Sequence, residues 1–143
     1  MSCSEGKLVT VQLWSFRDKT LQDIVALFSK LFLHTYRGEV LATLERVHAM
    51  PSKFRGCSTS WTLAESFATI KTLLTVYEIP WELALPEKWQ VVMGVRIKKT
   101  KKKVDKKKIN CEKAQALFPK VFGINKDNAD ALLLAEYNRR THK

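Results

Sequence analysis

At 143 residues the chain has the size of one domain, rarely two, and is long enough to bury a real core. It is 45% hydrophobic and 27% charged, the ordinary globular range, which excludes wholesale disorder. Twenty-five Lys and Arg against fourteen Asp and Glu leave a net charge of +11, which suits a polyanionic partner: nucleic acid first, an anionic membrane surface second.

Lys7-Leu8-Val9-Thr10-Val11-Gln12-Leu13-Trp14 alternates and is rich in β-formers, so it reads as a strand. Thr20 suits the N-cap of a helix over about 21–34, with Leu21, Ile24, Val25, Leu27, Phe28 and Leu31 on its apolar face. Val40-Leu41-Ala42-Thr43-Leu44 is a short apolar run suited to a buried strand, and it ends directly on Glu45. Residues 50–56 form a basic loop containing Lys53 and Arg55. From Thr59 to Glu78 the spacing of Leu63, Phe67, Ile70, Leu73, Leu74 and Tyr77 predicts a helix that ends before Pro80. Residues 81–85 suit another short strand, closed by Pro86, and a short helix over about 87–93 follows.

Residues 98–108 carry eight lysines and one aspartate, +7 of the chain's +11. Charge this dense resists packing and predicts a solvated arm, either a bland solubilising loop or a strip that tracks phosphates. Asn110 suits the cap of a helix through Leu117, ahead of Pro119, and a last helix starts near Asp127 and ends in a basic tail. Strands alternating with helices predict an α/β fold with some parallel pairing. The aromatic residues Trp14, Trp81 and Trp89 sit among apolar neighbours and are expected in the core.

Cys3, Cys57 and Cys111 give neither a disulfide framework nor a metal pair. No apolar run approaches the roughly 18 residues that span a bilayer, and residues 1–5 are no signal peptide, so a soluble, cytoplasmic protein without a membrane partner is expected. The three histidines have no metal or triad spacing, and the glycine signatures of phosphate loops, dinucleotide folds and hydrolase elbows do not occur. What remains is a carboxylate set. Glu45 stands where a buried strand stops, and Asp127 and Asp130 lie three apart at a helix start, on one face. Oxygen ligands from different elements suit Mg²⁺ or Mn²⁺. Taken singly, each is also an ordinary carboxylate, surface-exposed or favourable to a helix dipole.

The order of the pieces resembles the RuvC-like Holliday junction resolvases, above all their phage-type branch. The matching words are Leu44-Glu45-Arg46-Val47-His48-Ala49-Met50-Pro51, Pro86-Glu87-Lys88-Trp89, Ala114-Gln115-Ala116-Leu117-Phe118-Pro119 and Asp127-Asn128-Ala129-Asp130-Ala131-Leu132-Leu133-Leu134-Ala135-Glu136-Tyr137. The resemblance covers residues 8–140 and implies an RNase H-like mixed sheet flanked by helices, a homodimer, and Mg²⁺-dependent cutting of branched DNA, with Mn²⁺ as an alternative metal. It makes Glu45, Asp127 and Asp130 metal ligands and Lys107 the catalytic-region lysine. Lys53, Arg55, Lys98, Lys99, Lys101, Lys102, Lys103, Lys106, Lys107 and Lys108 become DNA contacts. The family's first strand ends in an Asp that bridges two metals. Nothing before Glu45 matches it, so the chain is expected to be N-terminally truncated relative to that family or a member that has lost its activity, and to cut slowly or not at all.

Phe54 and Trp61 are candidates to stack on opened bases. The competing expectations are a non-catalytic DNA-binding protein with the same fold and, more remotely, a small basic RNA-binding or ribosome-associated protein.

Overall fold

The computed structural model describes residues 11–16, 18–33, 40–46, 57–97 and 105–142. These residues hold five helices and one two-stranded parallel sheet, a mixed α/β arrangement. In chain order they are α1 (Leu21–Phe32), β1 (Ala42–Glu45), α2 (Cys57–Val76), β2 (Trp81–Ala84), α3 (Pro86–Val92), α4 (Lys106–Leu117) and α5 (Ala129–Thr141). The chain divides into two compact units. One is Phe16–Ala84, and the other holds the described residues of Met1–Ser15 and Leu85–Lys143.

The first unit is built on β1–α2–β2. Parallel strands need a crossover of a dozen residues or more, and the helix of α2 supplies it. The register sets Ala42 opposite Trp81, Thr43 opposite Glu82, Leu44 opposite Leu83 and Glu45 opposite Ala84. Thr43 Oγ1 donates to Glu82 Oε1 across the ladder at 3.3 Å. The core gathers Phe28, Leu73, Leu74 and Ile79, with Ile24, Phe32, Leu44, Ile70, Tyr77 and Trp81 packed against them. Rings of Phe16, Phe32 and Tyr77 surround Phe28 with centroids 5.4–6.5 Å away, the spacing of favourable tilted pairs.

The α1 start follows from Thr20, whose side chain accepts from the Asp23 amide while Asp23 accepts from the Thr20 amide, a reciprocal capping box. Phe28 is buried on the predicted apolar face, whereas Leu21 and Val25 at its edge are exposed. Every apolar position predicted for α2 is buried or half-buried.

The second unit is helical. Residues 129, 132, 133 and 136 of α5 are buried at the i, i+3, i+4, i+7 spacing of a helix face, and α5 packs against α3 and α4. Trp89, Met93, Ala114 and Ile124 are buried in the same unit. Pro86 opens α3 at a first-turn position where its missing N–H costs nothing.

Several expectations need correcting. Of the strand predicted over 7–14, residues 11–14 are described and carry no ladder; the two strands of the sheet pair with each other. Trp14 is exposed, Trp81 half-buried and Trp89 fully buried, so only part of the predicted aromatic core forms. The lysine arm is not wholly a loop: Lys106, Lys107 and Lys108 make the first turn of α4, which Asp105 caps by accepting from the Lys108 amide at 3.1 Å. Asn110 therefore caps nothing and lies inside the helix. The last helix starts at Ala129, leaving Asp127 in the preceding turn. No described helix is long and apolar enough to cross a membrane.

Candidate functional site

Residues 118–128 return the chain to the N-terminal end of α4, so α5 starts beside the start of α4. Three contacts register the two. Lys126 Nζ lies 2.7 Å from Asp105 Oδ2, Lys107 Nζ lies 3.3 Å from Asp127 Oδ1, and Asn110 Nδ2 donates to Asp130 Oδ1 at 2.7 Å. Of the predicted ligands, Asp127 thus meets the predicted lysine, Lys107, while Asp130 meets Asn110 one turn further along α4. They do so because Lys107 and Asn110 repeat on α4 the three-residue spacing of the aspartates.

The loop is fixed from within. Asn125 Oδ1 accepts from the amides of Asp127 and Asn128 at 2.9 and 3.2 Å. Asn128 Oδ1 accepts from the Asn125 amide at 2.8 Å, and its Nδ2 donates to the Gly123 carbonyl at 2.8 Å. Gln115 of α4 reaches the Ile124 carbonyl at 3.3 Å. Short polar side chains that bond nearby backbone hold an irregular segment in one shape. The carboxylates of Asp127 and Asp130 are carried on that fixed frame.

These bonds differ in weight. Lys107 and Asp127 keep 61% and 58% of their side-chain surface in water, so their attraction is weak and leaves both charges accessible. Asn110 is 6% exposed, and its amide is committed to Asp130. Asp105 is held below the usual carboxylate range, first by the hydrogen bond from Lys126 and then by the Lys108 amide, and Lys126 is raised in turn by Asp105. A second ionic group sits further along α5. Glu136, 5% exposed, accepts from Arg139 Nε and Nη2 at 2.8 and 2.9 Å and from Arg140 Nε at 2.7 Å.

Glu45, the last residue of β1, is exposed and belongs to the first unit. Among the described residues no three His, Cys, Asp or Glu side chains are grouped to hold a metal ion. Of the predicted DNA contacts, Lys106, Lys107 and Lys108 are exposed on α4. Lys53, Arg55, Lys98, Lys99, Lys101, Lys102, Lys103 and Phe54 lie outside the described residues; Trp61 is exposed on α2.

Sequence reasoning missed Asn110 as a partner of Asp130 and Glu136 as a buried acid. The second was readable from Glu136 lying three and four residues before Arg139 and Arg140. A groove of about 410 Å³ between α3 and α5, lined by residues including Glu87, Lys88, Val91, Arg96 and Tyr137, opens towards the other end of α5 from the aspartates. No family model matches the chain, and no curated protein matches it.

Proposed function

We propose that the chain is a divalent-metal-dependent endonuclease of branched DNA, of the RuvC-like kind and working as a homodimer, with Asp127 and Asp130 as metal ligands. The observation that supports this most is the registered pair Lys107–Asp127 and Asn110–Asp130, one carboxylate beside a lysine and the other held by a buried amide, in a strongly basic chain. The donor set fits the metal. Mg²⁺ takes hard oxygens, and it is commonly held by one or two carboxylates together with water and substrate phosphate rather than by an all-protein cage. When bound, the metal supplies a Lewis acid for the phosphodiester and a more acidic water.

The protein's own groups do the positioning. Asn110 holds Asp130 by one oxygen, leaving the other for a ligand, and the Asn125–Asn128 network sets the height of Asp127. Lys107, weakly held by Asp127, is positioned to turn to a phosphate oxygen where negative charge builds up. The role of Glu45 rests on the resemblance, and the RNase H-like sheet belongs to the same proposal, in which β1–α2–β2 serves as one parallel unit.

The test is cleavage of a labelled four-way junction with Mg²⁺, with Mn²⁺ and with chelator. The expected result is slow, metal-requiring nicking that Asp130→Asn and Glu45→Gln abolish while junction binding persists. Junction binding without nicking in either metal overturns the catalytic reading in favour of a DNA-binding protein. Failure to bind any DNA ends both.

A further inference from the structure

The loop that carries Asp127 carries a second feature that the metal reading does not use. Phe118 and Val121 are half-buried and Ile124 is buried, so the apolar side chains at this spacing turn inward. Phe122 turns outward and keeps 95% of its surface exposed. Gly123, at φ +85°, makes the turn there, and apart from its chain neighbours no described atom comes within 4 Å of the position a β-carbon would take on it, so that side of the turn is open. The backbone beneath it is tied down on both sides, by the Val121 amide to the Phe118 carbonyl at 3.0 Å and by Asn128 Nδ2 to the Gly123 carbonyl at 2.8 Å. A solvated aromatic ring on a tied-down backbone contributes nothing to the core that its neighbours supply. The backbone that carries it stands at a set offset from Asp127, because Asn128 bonds Gly123 and Asn125 bonds Asp127 in one network.

We infer that Phe122 stacks on an unpaired nucleobase at the branch point of the DNA, a contact that rests on the nuclease reading and names what its site distinguishes. A phenyl ring has no hydrogen-bonding group and takes any base by its π-face, which suits recognition of an opened junction rather than of a sequence. In a duplex the bases are stacked on one another and offer no free face. The charge nearby fits the same partner: Lys120, exposed two residues before the ring, is within reach of the phosphate next to a splayed base. Among the described residues the other exposed aromatics, Trp14, Phe16 and Trp61, lie outside this loop and share none of its bonds.

The experiment compares the parent chain with Phe122→Ala and Phe122→Trp, using a four-way junction and a duplex of the same sequence, each with 2-aminopurine at the position of the crossover. The parent is expected to quench the probe in the junction. Phe122→Ala is expected to bind the junction about tenfold more weakly, lose the quench and bind the duplex as the parent does, with Phe122→Trp restoring both. A parent that binds the junction with Phe122→Ala binding and quenching identically overturns the stacking contact and leaves the nuclease reading standing. So does an equal loss on junction and duplex. A parent that binds neither DNA overturns both. Binding of the parent to anionic vesicles that Phe122→Ala removes, with DNA binding unchanged, overturns the inference in favour of a lipid surface.

Discussion

Asn110 carries more of the α4–α5 junction than the lysine one turn before it. It sits at 6% exposure and its amide donates to a carboxylate, a charge-assisted bond, whereas Lys107 and Asp127 meet in water. Removing the amide leaves Asp130 with a half-buried charge and a missing donor. Asn110→Ala is therefore expected to cost about 1.5–3 kcal/mol, and Lys107→Ala no more than about 1 kcal/mol. Urea unfolding of the two variants checks this, and equal losses would show that the two bonds are equivalent. The residue also shows what a linear reading misses. Asn just before an apolar run suits an N-cap, and Asp105 offered no rival signal amid the lysines. Asp105 takes the cap by accepting from the Lys108 amide with one oxygen, and Lys126, brought back by the loop from 21 residues on, donates to the other.

At the scale of elements, α5 does two jobs: its first turn presents Asp130 and its last turns bury Glu136. A buried carboxylate is tolerated because Arg139 and Arg140 donate three hydrogen bonds to it. Arg139 foremost, with Arg140, holds Glu136 below the usual carboxylate range. The folded state therefore binds this proton less readily than the unfolded chain. The stabilisation is complete above the unfolded carboxylate's titration and fades as the pH falls through the lower folded value. The guanidiniums keep 27% and 37% of their surface exposed, so the bonds are partly screened. Glu136→Gln is expected to cost about 1–2 kcal/mol at neutral pH, with the melting temperatures of parent and variant converging on acidification. Melting curves that stay parallel down to acid pH would show that the pair does not stabilise the fold. The helix α1 was legible because its apolar period and its cap agree, as in the Thr20–Asp23 box, and α2 and both strands from their apolar pattern alone. The start of α4 was not, because eleven residues of near-continuous positive charge read as a solvated arm until Asp105 and Lys126 are seen together.

Charge is the property that belongs to the whole molecule. Most of the +11 comes from residues 98–108, of which the last three lysines are exposed along the first turn of α4, beside Asp127. Lysines grouped this closely attract a phosphate chain whatever its base sequence, and each phosphate they neutralise releases a counterion. The carboxylates have the opposite effect: without a cation between them and the DNA they repel the phosphates that the lysines draw in. Binding to DNA should therefore respond to two ions in opposite directions. Raising monovalent salt should weaken it, and adding millimolar Mg²⁺ at constant ionic strength should strengthen it for the parent but not for Asp127→Asn/Asp130→Asn, where the repulsion is already gone. Replacing Lys101, Lys102 and Lys103 by Ala should weaken binding to duplex and junction alike, and reduce the slope of log K against log[salt] by about 0.9 for each phosphate that is no longer neutralised. Fluorescence anisotropy over a salt series at fixed Mg²⁺ separates the two effects. A triple variant with the parent's slope would show that these lysines meet no phosphate, and a loss confined to the junction would mean that they read its branched shape.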